Sequence, residues 1–570
     1  MAQSLTHDVL VLGAGLAGLR AAVELSHRLD GKVDIGIVSK VQLMRAHSVC
    51  AEGGTAAVLR TEEGDSLDLH AWDTVKGSDF LADQDVVRRF VAAMPREIQL
   101  LDHWGIPWTR DEHGHIAQRP FGGHSYPRAT MAADKTGFFE MQTLYDELLR
   151  YKCFTRYDEF FVTDILVDDG QFGGLLGIHA PSGETVALRA KALLIATGGG
   201  GTLYGFTTYS ETVTGDGMAM ACRAGLPLED MEFLQFHPTG LVPSGILMTE
   251  ACRGEGGYLV NNKGERFMQR YAPKLMELAP RDMVSRAETT EILEGRGFPS
   301  TDGKFHLNLD LTHLGAERIN TRLPLIREVC MKFIGLDPIK KPIPIRPVAH
   351  YSMGGIETDI NGLTRIPGVW AAGEAAAVSL HGANRLGSNS TAECLVWGGI
   401  TGEEIARALP SLKVRPLPES PIKARHDAIA TLLTRGGQEN LYELRRQLRT
   451  TMDDCVGVFR TGEDLQKALD AIRAIRQRSL CAPVNDKSAV YNSNLFHALE
   501  LENLLDLAEI TVLGALTRQE SRGAHARRDF STRDDETWLK HTLAWKTDAG
   551  PRLDYKSVTI DIWKPVERKY

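Results

Sequence analysis

The sequence predicts an α/β protein whose main unit is a doubly wound, dinucleotide-binding (Rossmann-like) sheet. The first observation behind this is Asp8-Val9-Leu10-Val11-Leu12, then Gly13-Ala14-Gly15-Leu16-Ala17-Gly18, then Leu19-Arg20-Ala21-Ala22-Val23-Glu24-Leu25. An apolar run, G-x-G-x-x-G and a helix-forming run supply a strand, a tight turn and a helix that opens onto a pyrophosphate. The first glycine makes the turn, the second lets the backbone approach the phosphates, and the third lets helix and strand pack closely. The helix N-terminus adds amide N–H groups and a partial positive charge. The second observation is Ala192-Leu193-Leu194-Ile195-Ala196-Thr197-Gly198-Gly199-Gly200-Gly201, another buried strand ending in glycines. Two such ends suit an extended FAD lying across a sheet. The third is Gly368-Val369-Trp370-Ala371-Ala372-Gly373-Glu374, where strand and glycine return after a long interval of different character.

That interval sets the domain plan. A chain of 570 residues is too long for one core. Residues 1–239 and 345–409 read as a discontinuous FAD-binding domain. Residues 240–344, with fewer buried-strand runs and more charge, read as an inserted α+β capping domain. Pro410, Pro416, Pro418 and Pro421 mark a linker. From 424 to about 521 the pattern is helical: Leu432, Leu433, Leu441, Leu444 and Leu448, then Leu465, Leu469 and Ile472, then Leu501, Leu504 and Leu505 recur at helix spacing. A helical-bundle domain is therefore expected at 410–528, with a small C-terminal α+β or β segment at 529–570.

Bulk properties narrow the class. A net charge of −9 argues against nucleic-acid binding. No secretory signal is visible, and no run approaches the ~18 apolar residues of a membrane span, so no transmembrane segment is expected. Eight cysteines at 50, 153, 222, 252, 330, 394, 455 and 481 include no C-x-x-C, which reads as reduced thiols in the cytosol, with no metal site and no iron–sulfur cluster held by local spacing.

In chain order, the second strand, Lys32-Val33-Asp34-Ile35-Gly36-Ile37-Val38, ends in Ser39-Lys40 rather than the acid that usually holds a ribose. NAD is thus a less natural ligand, although Ser39 can still bond a hydroxyl. Next comes Met44-Arg45-Ala46-His47-Ser48-Val49-Cys50-Ala51-Glu52-Gly53-Gly54. This string resembles the flavin-attachment segment of the succinate dehydrogenase/fumarate reductase flavoproteins. The resemblance implies that His47 carries FAD covalently, with Ser48, Glu52, Gly53 and Gly54 beside it. Phe121-Gly122-Gly123 and Ala132-Ala133-Asp134-Lys135-Thr136-Gly137-Phe138 continue the likeness. It places Phe121 against the substrate, although the residue alone reads equally well as a core aromatic. Asp158-Glu159-Phe160-Phe161-Val162 begins a β-meander, and the likeness puts Phe160, Phe161 and Val162 near the adenine part of FAD. It also implies flavin contacts for Asp216 and Glu374, and for Asn389, Ser390 and Thr391.

Five polar islands carry the chemistry: Gln235-Phe236-His237-Pro238-Thr239; Met248-Thr249-Glu250-Ala251-Cys252-Arg253-Gly254-Glu255-Gly256-Gly257; Ala279-Pro280-Arg281-Asp282; His350-Tyr351-Ser352-Met353-Gly354-Gly355; and His381-Gly382-Ala383-Asn384-Arg385-Leu386-Gly387-Ser388-Asn389-Ser390. Each is flanked by glycine or proline, where sites tend to be built. Arginine forks and neutral donors are what a small dicarboxylate needs. Any single island also reads as an ion pair or a capped turn. By resemblance, His237, Thr249, His350 and Arg385 hold the dicarboxylate, Arg281 exchanges its proton, and Glu250 and Arg253 relay that proton to water. A guanidinium is an awkward acid, since its free pKa exceeds ~12. The likeness runs from about Asp8 to the C-terminus, through Arg518-Gln519-Glu520-Ser521-Arg522-Gly523-Ala524-His525 and Leu539-Lys540-His541-Thr542-Leu543.

The resemblance implies a catalytic subunit interconverting fumarate and succinate. Glu52 leans it toward fumarate reduction, because reductases of the family tend to carry Glu there. It further implies an iron–sulfur subunit and a quinone-binding membrane anchor, hence a cytoplasmic protein held peripherally at the inner face of the membrane. Two rivals stand beside it. One is an L-aspartate oxidase on the same fold, which would lack the His47 attachment. The other is a flavin-binding electron-transfer or sensor protein without turnover.

Overall fold

The computed structural model describes residues 3–569. Its central sheet has five parallel strands in the order Val369–Ala371, Ala192–Ile195, Val9–Leu12, Ile35–Val38 and Phe154–Tyr157. Helices Leu16–Arg28 and Asn389–Ala408 lie side by side against it. Gly398 and Gly402 let them approach backbone to backbone: a Cβ at either would sit 2.7 Å from Ala17 O or Ala21 O. Gly18 closes the turn in the same way, since a Cβ there would fall 2.0 Å from Gly13 O. The glycine pattern thus fixes the helix-to-strand distance before any ligand is considered.

A four-stranded sheet follows, in the order Gln3–Thr6, Glu184–Arg189, Gln171–His179, Phe160–Asp168; the last three form an antiparallel meander, and the N-terminal strand joins it in parallel. The proline-rich stretch expected as a linker is laid over it. Arg189 donates to Arg415 O at 2.8 Å, and Leu417 packs on Leu166, Leu176 and Ala187.

The chain enters and leaves residues 240–344 along strands rather than loops. Leu234–Leu241 and Ile343–Ser352 pair antiparallel, and the sheet continues through Phe305–Asp310 to Tyr258–Val260. Its own core includes Leu259, Leu307, Leu309, Ile326 and Ile345. Helix Arg281–Leu293 packs on this sheet.

The helical region consists of Glu419–Thr434, Leu441–Cys455, Gly462–Ser479 and Ser493–Thr517. The leucine series from 432 to 448 is not one stripe. Leu432 and Leu433 end the first helix half-buried, while Leu441, Leu444 and Leu448 belong to the next. Between them Gly437 takes a φ of +159°, and Asn440 caps the new helix on the Tyr442 and Glu443 N–H groups. The spacing matched a helix only because the break preserved the phase. Ser493–Thr517 is buried on nearly every side, and its acids Glu500, Asp506 and Glu509 are paired with arginines and lysines.

The C-terminal hairpin Lys540–Thr547 and Gly550–Ser557 joins a five-stranded sheet with Leu228–Glu229, Gly355–Glu357 and Ala376–Ala377. His541 is the pin. It lies fully buried, with Nδ1 at 2.6 Å from Asp230 and 3.4 Å from Glu229, and Nε2 at 3.3 Å from Asp83. Burial alone would lower its pKa, but Asp230, Glu229 and Asp83 overcome this and push it up to about 10. The folded value lies above the ~6.5 of an unfolded histidine, so its contribution to stability is complete below about pH 6.5 and is lost as pH rises toward 10. Thermal melts across that window should show a falling melting temperature whose slope is reduced in His541→Gln. Parallel curves for the two proteins would remove this role.

Candidate active site

A cavity of about 580 Å³ runs along the glycine ends of the central sheet. Gly13, Ala14, Gly15, Leu16, Ala17, Ser39, Lys40, His47, Ser48, Glu52, Phe160, Phe161, Val162, Asp216, Glu374, Ser390 and Thr391 line it. Four residues expected at the cofactor do not. Gly18 serves the helix packing, Gly53 faces the ring of Phe121, and Gly54 sits against Thr130 O at a φ of +120°. The Asn389 side chain is turned away, to His70 at 3.2 Å and Thr74 at 3.2 Å.

The residues present fit FAD. Helix Leu16–Arg28 starts at Gly15 with no acid in its first turn; Ser48 Oγ accepts from Leu16 N at 3.2 Å, and the helix's positive end favours an anion beside it. A Cβ at Gly13 would lie 2.1 Å from Ala196 O, which makes this end of the cradle backbone against backbone. Lys40 is drawn into a cluster with Asp216 at 2.7 Å and Glu500 at 2.6 Å, and Asn503 donates to Asp216 at 2.7 Å. The helical region therefore helps to hold one wall of the cavity.

His47 stacks on Tyr209, with centroids 5.2 Å apart at 16°, and its Nδ1 meets the Ser210 N–H at 3.4 Å. Burial pushes its pKa down to about 4, so the imidazole is neutral. Tyr209 donates its hydroxyl to Glu374 and accepts from Ser352 N at 3.0 Å. Burial raises Glu374 to about 7, against that hydrogen bond. Thr208 meets His350 Nδ1 at 2.9 Å. Thr208, Tyr209 and Ser210 were not singled out in the sequence. Their only signal there is a short polar run after the glycines.

The cavity reaches His350, and beyond it the remaining islands converge. His237 stands on Leu234–Leu241 and His350 on the paired strand Ile343–Ser352, with rings edge to face at 4.9 Å. Arg281 opens its helix. Its Nε donates to Glu250 at 2.7 Å and its Nη1 to Gln235 at 3.0 Å. Gln235 in turn donates to Arg385 O at 2.7 Å. The Arg385 guanidinium lies over the Tyr351 ring at 4.4 Å. Glu250 accepts from Gly122 N at 2.7 Å, and Arg253 Nη2 stands 3.5 Å away. Thr249 is buried beside Gly53, and Phe121 packs on Gly53 and Gly387.

The electrostatics follow from burial. Desolvation, together with Arg385 and Arg253, brings Arg281 down to about 9 although Glu250 opposes it. Arg385 is also lowered by burial. Burial and the arginines hold His237 and His350 well below the ordinary histidine range, so both are neutral. Glu250, despite burial, is held down at about 2 by Arg281 and Arg253 and stays ionised. Three guanidinium groups therefore face one carboxylate, leaving two positive charges. His237 Nε2, Arg385 Nε and Arg253 Nε have no hydrogen-bond partner.

Elsewhere, Glu229, Asp230 and His541 place ligand-type atoms within 4.8 Å of one another. Lys556 holds Glu229 at 2.8 Å and His541 carries a proton, so these acids are already paired with cations that a metal would have to displace. None of the described helices is long and apolar enough to cross a membrane.

A nucleotide cradle opening onto a sealed cationic cleft defines an FAD-dependent oxidoreductase. Residues 8–391 match the family model of the FAD binding domain, and 445–570 that of the fumarate reductase flavoprotein C-terminus. The chain is 46% identical to the fumarate reductase flavoprotein subunit of Mycobacterium tuberculosis, over 99% of both chains. It is 43% identical to the succinate dehydrogenase flavoprotein subunit of Rickettsia bellii, over 97% of this chain and 95% of that one. A solved quinol-fumarate reductase with menaquinol molecules superposes with a TM-score of 0.94 at 44% identity, over 99% of this chain and 100% of the other. The chain belongs to the fumarate reductase/succinate dehydrogenase flavoprotein family.

The Gly122 contact generates a test. A Cβ there would fall 2.5 Å from Glu250 Oε1. Gly122→Ala should displace that carboxylate and lower kcat by about 100-fold, the order expected for a misplacement near 1 Å, with FAD content unchanged. Wild-type turnover in this variant would show that Glu250 is not held by the loop.

Proposed function

We propose that this chain interconverts fumarate and succinate at FAD carried covalently on His47, as the catalytic subunit of a larger complex. One observation carries the reading: two uncompensated buried positive charges, flanked by two neutral imidazoles with an open ring N–H or lone pair. A dicarboxylate supplies two negative charges, which matches that deficit. A neutral or monoanionic ligand would leave buried charge unpaired, at a cost of several kcal/mol.

FAD bound along the cavity would supply hydride exchange with one substrate carbon. The protein handles the rest. Arg385, His237, His350 and Thr249 bind and orient the carboxylates, and their donors favour charge that builds during transfer. Arg281 exchanges the proton at the other carbon. Glu250, bonded to Arg281 Nε, returns it, and Arg253 stands next in line. Residues 240–344 shut out water and so strengthen every interaction in the cleft. A pKa near 9 leaves Arg281 protonated at neutral pH yet a better acid than a free guanidinium.

Support for covalent attachment lies in the neutral, clamped His47 at the cavity wall. This also favours the main reading over an aspartate oxidase. Direction leans to fumarate reduction on Glu52. An iron–sulfur subunit and a quinone-binding membrane anchor are inferred as partners from the membership and from the absence of C-x-x-C spacing. Such partners would hold the chain at the cytoplasmic face of the inner membrane.

Arg281→Ala should lose at least about 100-fold in dye-driven fumarate reduction while keeping its flavin. Turnover near wild type would remove Arg281 from its role. For wild type, kcat/KM for fumarate should fall as pH rises through about 9, because the donor must be protonated; an alkaline limb absent up to pH ~10 would contradict this. Acid-denatured wild type should retain yellow flavin, and His47→Ser should release it. Equal release from both would rule out the bond.

A further inference from the structure

His47 opens the short helical turn His47–Cys50 and lines the cavity half-buried. A side chain so placed has several rotamers open to it unless a neighbour removes them. The neighbours come from residues 208–210, far along the chain. The Ser210 N–H donates to Nδ1 at 3.4 Å, and the Tyr209 ring lies nearly parallel to the imidazole, 5.2 Å away.

Tyr209 is itself built into the fold. It is buried, and a Cβ at Gly201 would lie 2.0 Å from two carbons of its ring, so the ring needs bare backbone beneath it. Its hydroxyl donates to Glu374 and accepts from Ser352 N at 3.0 Å, and Ser352 N also reaches Glu374 at 2.9 Å. The Glu374 carboxyl lies against Gly199, where a Cβ would fall 2.5 Å from Oε1. Two of the four consecutive glycines after strand Ala192–Ile195 therefore seat this pair. The segment is anchored as well: Thr208 N donates to Ala349 O at 3.0 Å, Thr207 Oγ1 donates to the same oxygen at 3.1 Å, and Tyr209 N donates to Thr207 Oγ1 at 3.3 Å. With Thr208 on His350 Nδ1 at 2.9 Å, one tripeptide touches an imidazole in the cofactor cavity and another at the cationic cleft.

We propose that Tyr209 orients His47 for bond formation with the flavin, its ring serving as a flat platform held by Gly201, Glu374 and Ser352. The inference rests on the covalent attachment proposed above. Tyr209 acts through His47 and is a positioning residue. In the attachment step a nitrogen of neutral His47 bonds to a ring-methyl carbon of the flavin. One C–H bond of that methyl and the imidazole N–H break. The C–H electron pair reduces the isoalloxazine and the two protons complete its reduced form. Fumarate, the oxidant of the proposed reaction, takes the pair and both protons as it becomes succinate. Tyr209 supplies no atom; it limits the positions of the attacking ring, where a misplacement near 1 Å costs about 100-fold.

The test uses the full-length flavoprotein isolated with its flavin. It reads the fraction of total flavin that stays with the chain after acid denaturation. Tyr209→Phe keeps a flat ring over Gly201 and should stay within about twofold of wild type. Tyr209→Leu keeps bulk without a flat face and should lose at least about tenfold of the acid-stable fraction while still binding flavin that acid releases. Gly201→Ala, which pushes the ring off its bed and leaves Tyr209 in the sequence, should lower the fraction too. Wild-type attachment in Tyr209→Leu or in Gly201→Ala overturns the proposal, as does a loss in Tyr209→Phe equal to that in Tyr209→Leu. Wild type that releases all of its flavin in acid overturns the attachment itself and this inference with it, whereas fumarate reduction by that protein would leave the fumarate–succinate reading standing.

Discussion

The buried pair between Arg281 and Glu250 governs the site. Both groups are sealed from water, and the carboxylate is shared with Gly122 N and lies within reach of Arg253. Breaking such a pair typically costs about 3–5 kcal/mol, because the surviving charge is left stranded. Yet the pair does not neutralise its surroundings, since Arg385 and Arg253 add charge beyond what Glu250 balances. The fold holds this imbalance by crossing the cleft from four directions: the 121–123 loop, the turn before Ala251–Gly254, helix Arg281–Leu293 and the 381–390 loop. A dianionic substrate becomes the missing counter-ion, so recognition and assembly of the cleft are one electrostatic event.

The same logic explains why the inserted unit enters on strands. His237 and His350 sit on the two strands that run from beside the central sheet into the insert, and their edge-to-face contact is set by backbone pairing. A pair of loops would leave those rings free to drift, whereas a ladder fixes them relative to the cavity mouth. The far end of the cavity is tied down differently. Lys40, Asp216, Glu500 and Asn503 lock the second strand of the cradle to the long buried helix of the C-terminal half. The nucleotide-type cavity and the cationic cleft are thus held by different elements that meet at His350.

What the sequence made legible was local. The glycine loop, the strand ends and the five polar islands each announce themselves within about ten residues, because turn geometry and element period are short-range properties. The leucine series at 432–448 misled for the same reason: period survives a glycine break when the loop keeps phase. The C-terminal hairpin looked like a separate segment because strand pairing with residues 228–229 leaves no trace in either stretch alone. Tyr209 was invisible on similar grounds, because it reaches His47 and Glu374 from far along the chain. Asn389 illustrates the converse, a residue inside a legible motif whose side chain is claimed by His70 and Thr74.

A guanidinium acid is the most demanding part of the proposed mechanism, and the surroundings of Arg281 favour it. Burial brings Arg281 down to about 9, well below the ordinary guanidinium range, so its charged form is disfavoured in the cleft. Burial contributes most, and Arg385 and Arg253 add repulsion that one carboxylate only partly offsets. Crowding cations therefore serves two ends at once: it attracts the dianion and weakens the hold of Arg281 on its proton. The second effect has a cost, because an arginine that has given up its proton is easily reprotonated only if a donor stands close. Glu250 at 2.7 Å meets that requirement geometrically, but at a pKa near 2 it stores no proton of its own. Under the proposed mechanism, the proton that refills Arg281 must therefore come from behind Glu250, because Glu250 itself stays ionised.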